Sequence, residues 1–278
     1  MPNLLHRAIV AASAAALAAC GQGREAAPPA AAAPNVVTVT AVNYAFTLPD
    51  TIPPGVTTVR VVNGGTEIHH IQIIQLLEGR TLDSLLAALH GPGSLPAWAV
   101  MIGGPNAVVP GDTAAATLDL PAGHYALVCF VPGPDGAPHF TKGMARELEV
   151  AGTPGTATEP VADRTMHLSD YAFALDTPLT AGTHVIRVVN DGPQPHEAVL
   201  VQLAPGRTIG DVMTWVDGGM HGAPPGKPIG GVTGLTPGRH VSLRVALTPG
   251  NYGWICFFTS PDGKEHAQHG MLTQFTVS

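Results

Sequence analysis

The feature that most restricts the fold is that the chain repeats itself. NYAFTLPDTIPPGVTTVRVVNGG, from Asn43, and DYAFALDTPLTAGTHVIRVVNDG, from Asp170, agree at Tyr44, Ala45, Phe46, Gly55, Arg60, Val61, Val62, Asn63 and Gly65, each matched 127 residues on. The same register joins Gly79, Arg80 and Thr81 to Gly206, Arg207 and Thr208, and Pro134, Asp135 and Gly136 to Pro261, Asp262 and Gly263. Agreement held without a gap over roughly 100 residues marks a duplicated unit. It places one domain at 36–151, a linker at 152–162 and a second domain at 163–278.

Runs such as VTTVRVV, HHIQIIQLL, HVIRVV and EAVLVQLA are separated by turn residues drawn from 33 Gly and 27 Pro, so the chain reads as turn-rich β structure rather than disorder. Each repeat is long enough to bury a β-sandwich core. The pattern predicts strands at 37–42, 57–63, 68–76, 113–119, 123–129 and 145–150, and a short helix at 82–90 that Thr81 caps and Gly91 stops. The fold class is therefore all-β, two sandwiches with a short helical insertion in each. The second insertion, TIGDVMTWVDGG, contains a glycine and is expected to be the weaker helix.

The first nineteen residues, MPNLLHRAIVAASAAALAA, combine a weakly basic start, an apolar stretch short for a bilayer, and small residues before Cys20. Segment 1–19 thus reads as an export signal. Leu17, Ala18, Ala19 and Cys20 resemble the lipobox of bacterial lipoproteins, which implies lipid on Cys20 and a chain anchored to the bacterial cell envelope, periplasmic or outer. Residues 20–35 supply that lipidated end and a proline-broken tether. With 13 basic against 20 acidic residues, the chain has neither a nucleic-acid footprint nor a polybasic lipid patch. HGPGS and IGGVTG lack the lysine of a P-loop and the third glycine of a dinucleotide turn, so no nucleotide is expected, and no serine lies in a G-x-S-x-G context.

The offset of 127 also maps His69 onto His196, Cys129 onto Cys256, His139 onto His266 and Met144 onto Met271. Two imidazoles, a thiolate and a weak thioether form a soft donor set that holds copper as Cu(I) or Cu(II) and suits one-electron exchange. In GHYALVC the period of two puts Tyr125, Leu127 and Cys129 on one face and His124 on the other, and GNYGWIC repeats this with Tyr252, Trp254 and Cys256. Each position has a plainer reading: the cysteines as small buried hydrophobes, the histidines as strand ends or loop groups, the methionines as core filling. Recurrence of all four at one offset favours the joint site. If Cys20 carries lipid, Cys129 and Cys256 are the only thiols of the exported body, where oxidation favours pairing. Their equivalent places in two units speak against such a bridge. His70 is matched by Glu197 and His269 by Lys142, so neither belongs to a shared ligand set, and His269 reads as a surface group or a ligand's hydrogen-bond partner.

The sequence NGGTEIH or NDGPQPH, then G-x-Y-x-x-x-C, then His-x4-Met resembles the cupredoxins, the plastocyanin and azurin family of blue copper proteins, over nearly the whole mature chain. The resemblance implies two tandem Greek-key cupredoxin-like sandwiches and up to two type 1 coppers per chain. His69, Cys129, His139 and Met144 would hold the first, and His196, Cys256, His266 and Met271 the second, with the cysteine as short ligand and the methionine as long axial one. It implies electron transfer between a redox-protein donor and acceptor. One departure stands out: nine residues separate Cys129 from His139 and Cys256 from His266, where familiar members need only a few. The insertion either folds the histidine back toward the sulfur or marks a copper-free branch. Copper storage or delivery, and a metal-free binding module at the cell surface, are the alternatives.

Nitrite reductases and laccase-like oxidases of that family carry histidines directly beside the cysteine, wiring it to a further copper. Here the neighbours are Val128 and Phe130, and Ile255 and Phe257. His90, His167, His184, His221 and His240 form no HxH or HxxxH pair. The expectation is an electron carrier rather than an oxidase or reductase.

Overall fold

The computed structural model describes residues 32–91 and 95–278. The expected export signal, Cys20 and the tether up to residue 31 lie outside the described residues. Among the described residues no helix is long and apolar enough to cross a membrane.

The first repeat forms β1 (Asn35–Val42), β2 (Ala45–Thr47), β3 (Thr51–Ile52), β4 (Gly55–Asn63), β5 (Gln72–Leu76), α1 (Leu82–Leu89), β6 (Ala99–Gly103), β7 (Thr113–Leu120), β8 (Gly123–Val128) and β9 (Ala145–Val150). The second forms β10 (Arg164–Ser169), β11 (Ala172–Leu175), β12 (Gly182–Asn190), β13 (His196–Leu203), α2 (Ile209–Asp217), β14 (Gly226–Leu235), β15 (His240–Leu247), β16 (Gly250–Ile255) and β17 (Leu272–Val277). A single 3-10 turn, His139–Lys142 or His266–His269, precedes each last strand.

Alternation drives the strands: in β4, Val59 and Val61 turn into the core while Arg60 faces out. Three local expectations differ from the structure. The strand predicted at 68–76 begins only at Gln72, because the chain around His69 is held instead by its pairing with Val108. The strand β6 follows a proline-rich stretch with no clear alternation, which hides it. The helix α2 is not weak: Thr208 and Asp211 close a capping box, Gly210 sits in the first turn, and Ile209, Val212 and Met213 are buried.

The strands form two sheets, one ordered β11-β10-β12-β15-β7-β4-β1-β2 and the other β17-β16-β13-β14-β6-β5-β8-β9-β3. Both sheets cross from one repeat to the other, through β15 with β7 and β14 with β6. Along the first seam Leu243 faces Ala116, which is its own equivalent, and Ser242 faces Thr117. Along the second, Val232 faces its equivalent Pro105, flanked by Leu235 opposite Ile102 and Ile229 opposite Val108. The seam therefore has the self-complementary pairing of a two-fold interface.

One apolar cluster, from Val37 to Val277, runs through both repeats. At the seam Gly103 leaves room for Val241 and Leu235, whose atoms would lie 2.7 and 2.9 Å from an added Cβ. Gln72 donates to the Gly234 carbonyl at 3.0 Å, and the Thr233 and Thr236 hydroxyls donate to Ile71 and Met101 carbonyls at 3.1 and 3.0 Å. The buried side chains of Gln72 and Thr233 are thereby satisfied across the boundary.

Two candidate metal centres

The strand β8 delivers Cys129 to its site. Tyr125, Leu127 and Cys129 face the large shared cluster, and Ala126 and Val128 face a second one against α1, so both sides of the strand are buried. His124 is exposed, as its place in the alternation requires. The start of the strand is anchored by the Tyr125 hydroxyl, which donates to the Pro121 carbonyl at 2.7 Å, and Tyr252 anchors β16 on Thr248 at 2.9 Å.

Beyond Cys129 the long insertion is a hairpin that returns. Gly133 N–H donates to Ala137 and Gly136 N–H to Gly133, closing the turn, and Gly136 takes a φ of 76° that suits glycine. On the way back His139 N–H donates to Val131 at 2.9 Å and Phe140 N–H to Cys129 at 2.9 Å. In the second repeat His266 donates to Phe258 at 2.7 Å and Ala267 to Cys256 at 3.0 Å. The insertion therefore zips onto itself and brings the histidine back to the sulfur.

The first histidine of each trio arrives from a loop organised by a buried asparagine. Asn63 donates to the carbonyls of Glu67 and Val108, both at 2.8 Å, and accepts from Gly65 N–H at 2.9 Å. Asn190 repeats this on Gln194, Leu235 and Gly192.

In the first site His69 Nδ1 and His139 Nδ1 are 3.1 Å apart, and Cys129 Sγ lies 3.5 Å from His139 Nδ1 and 4.0 Å from His69 Nδ1. In the second, His196 and His266 Nδ1 are 3.0 Å apart and Cys256 Sγ lies 3.5 Å from His266 Nδ1. All six side chains are buried. Two metal–ligand bonds of about 2.0–2.3 Å span up to about 4.3 Å, so one ion reaches all three atoms of the first trio, and in the second the three ligand atoms lie within 4.8 Å of one another. Cys129 and Cys256 are free thiols rather than a disulfide. Met144 and Met271 are fully buried, and each carbonyl accepts the N–H of its cysteine, at 3.1 and 3.2 Å. Among the described residues these trios are the groups with metal-ligand convergence.

Burial favours neutral forms. It pushes the Cys129 thiol up to about 12 against hydrogen bonds from the His70 and Val131 backbone, and raises Cys256 likewise. Burial first, and the neighbouring ring second, lower His69 and His266 to about 4.

The outer nitrogens of the rings show how the copies differ. His69 Nε2 meets Asn43 Oδ1 at 2.9 Å and His139 Nε2 meets Glu67 Oε2 at 2.8 Å. His196 Nε2 instead meets the carboxylate of Asp170 at 2.7 Å, while His266 Nε2 is buried without a partner. Gln194, at the place of Glu67, donates to Asp170 at 2.6 Å. Burial works to raise Glu67, but hydrogen bonds from Tyr44 and His139 outweigh it and hold the carboxyl below its usual range. Gly65 and Gly192 permit these contacts: a Cβ on Gly65 would lie 2.3 Å from Asn43 Oδ1 and 2.7 Å from His69 Nε2.

His70 is not a ligand. Its Nε2 accepts the Phe130 N–H at 2.9 Å. His269 stacks on Tyr171, with ring centroids 4.5 Å apart, and pairs with Asp262 as Lys142 pairs with Asp135. His90, His167, His184 and His240 contact Leu86, Asp191, Asp163 and Glu159 and share no site. Sequence reasoning missed Asn43, Glu67 and Asp170. Their signal was present as an amide and a carboxylate exchanged between two matched positions.

No protein-family model matches the chain, and no curated protein matches it. Among solved structures it is similar to dithionite-reduced auracyanin from Roseiflexus castenholzii, at 25% identity over 44% of this chain and 100% of that one, with a TM-score of 0.30. Auracyanin A of Chloroflexus aurantiacus, described as a "blue" copper protein, is 24% identical over 43% of this chain and 100% of its own, with a TM-score of 0.31. The blue copper oxidase of Nitrosomonas europaea is 16% identical over 88% of this chain and 86% of its own, with a TM-score of 0.27. At such TM-scores these likenesses bear no weight, and the functional reading stands on the two sites.

Proposed function

We propose that the protein binds copper in two cupredoxin-like type 1 centres and passes single electrons between redox-protein partners. The observation that carries this reading is the convergence of a buried cysteine sulfur and two histidine Nδ1 atoms at the end of each repeat's core strand. Copper, when bound, would supply the one-electron couple. His69, Cys129, His139 and Met144 would hold one ion, and His196, Cys256, His266 and Met271 the other.

The residues of the chain have definite tasks in that reading. Each cysteine gives up its proton to bulk water as the cation enters, since burial disfavours a bare thiolate. Asn43 and Glu67, or Asp170, hold the outer ring nitrogens, so that Nδ1 stays aimed inward. The hairpins and the packed strand ends exclude water and keep the trios in place when charge changes. Full burial of the ligands favours electron exchange over delivery, which needs an ion that can leave.

Export and lipid on Cys20 complete the proposal, with the chain held at the cell envelope. Mass measurement of the mature chain from a membrane fraction tests that part. Copper titration with visible absorption tests the centres. Two equivalents and an intense thiolate-to-copper band, halved in Cys129→Ser and in Cys256→Ser, are expected. Uptake without the band points to storage, and no uptake overturns the copper reading.

A further inference from the structure

The linker supplies one acid that the second repeat holds in a clasp. Glu159 Oε2 accepts from Arg187 Nη1 at 2.7 Å, and Glu159 Oε1 meets His240 Nε2 at 2.8 Å. Arg187 lies on β12 and His240 begins β15, the strand beside it, where Arg187 faces Ser242 and Val189 faces His240. One carboxylate thus joins two neighbouring strands through both of its oxygens.

The repeat carries this arrangement to the other half, where Arg60 stands for Arg187 and Thr113 for His240. The register is the same: across β4 and β7, Arg60 faces Ala115 and Val62 faces Thr113. The acid is not the same. The residue 127 positions before Glu159 is Ala32, which has no carboxylate to offer.

Arg60 and Thr113 instead line a cleft of about 430 Å³, within the range of small-molecule sites. Arg244, whose equivalent is Thr117, adds a second guanidinium, and Ile229 and Tyr252 contribute apolar lining. Both arginines are exposed, and among the described residues neither pairs with a carboxylate. Asp112, beside Thr113 in the chain, is taken up by Lys227 at 2.6 Å. Two like charges therefore share the cleft with no acid between them, an arrangement that a bound anion relieves. The planar fork of a guanidinium matches the two oxygens of a carboxylate, and a carboxylate is what the equivalent clasp already holds.

We propose that the cleft between Arg60 and Arg244 binds the carboxylate of a small organic acid, in the place that Glu159 fills in the other half. The apolar lining receives the carbon skeleton of that acid. This site is separate from the two cysteine centres and does not depend on the copper reading.

Titration of the full chain with succinate at fixed ionic strength, followed by NMR of the backbone amides, tests the site. Saturable shifts at Arg60, Ala115 and Arg244 are expected, and Arg60→Gln or Arg244→Gln should each weaken binding about tenfold. Ala32→Glu installs an acid from the chain itself and should weaken succinate by a similar factor. Glu159→Ala should open a second site, seen as new saturable shifts at Arg187 and His240. Shifts that do not saturate, or an affinity unchanged in both glutamine variants, overturn the site. An affinity unchanged in Ala32→Glu overturns its equivalence to the Glu159 clasp. Inorganic phosphate, titrated in the same way, should bind more weakly than succinate, and equal or tighter binding overturns the assignment to a carboxylate.

Discussion

The outer nitrogen of His139 rests 2.8 Å from the Glu67 carboxylate, whereas its counterpart on His266 meets nothing and Asp170 holds His196 instead. The two candidate sites bring together the same three residue types and differ in which ring carries the charged partner. A carboxylate on a ligand's far nitrogen raises its basicity and fixes its tautomer. Glu67→Gln should therefore weaken copper about 10–100-fold at the first site only, and Asp170→Asn likewise at the second only. Titration against a competing chelator, in Cys256→Ser and Cys129→Ser chains, separates the two. Equal losses at both sites from either change would refute the assignment.

Gly65 and Gly192 lie where a methyl group meets the ring and its partner. An added Cβ on Gly192 would be 2.8 Å from His196 Nε2 and 2.9 Å from Asp170 Oδ1, which is overpacking against a buried ring and its hydrogen-bond partner. Gly65→Ala and Gly192→Ala should each cost about 1–3 kcal/mol. Urea unfolding of the metal-free chain gives the number, and a midpoint unchanged within error would show that the loop gives way freely.

Tyr125 is fully buried with its hydroxyl on Pro121, and burial pushes the phenol up to about 12 from an ordinary value near 10. The folded state therefore binds the proton more tightly than the unfolded chain. This contribution is intact below pH 10 and is lost as pH rises toward 12. Tyr125→Phe should cost about 1 kcal/mol at neutral pH and flatten the alkaline fall in stability. Unfolding midpoints compared between pH 8 and pH 11 check this, the expected result being a gap between the two chains that narrows with rising pH.

Because both sheets and the main core cross the seam, the repeats should unfold together. Labelling of Cys129 and of Cys256, followed separately through a urea titration of the metal-free chain, should give one midpoint. Two midpoints separated by more than about 0.5 M would show that the seam does not couple the repeats.

The convergent His/Cys/His trios were legible in the sequence because rare residue types recurred at one spacing. Alternation in GHYALVC also correctly placed Cys129 on the core face. The partners of the ligands were not, since comparing repeats rewards identity, and Asn43 with Asp170, or Glu67 with Gln194, differ. The return of His139 along its hairpin depends on backbone hydrogen bonds, to which residue type is a poor guide. The seam was hidden for a related reason: its contacts fall on Ala116, Gly103 and Pro105, small or irregular residues whose pairing leaves no periodic signature. His69 was placed on a strand because the apolar run beginning at Ile71 extends the apparent pattern; Asn63 holds that segment as a loop.

The pairing of Ala116 with Leu243 and of Pro105 with Val232 has the geometry by which two identical chains associate about an axis. Two identical chains, however, must put the same residue on both sides of that axis. Asn106 and Thr233 stand one position from it, each making contacts the other cannot. Covalent fusion is what lets them differ: a single polypeptide can give one flank to holding Glu197 beside the second cysteine and the other to fastening the halves, a division of labour closed to any homodimer of the repeat.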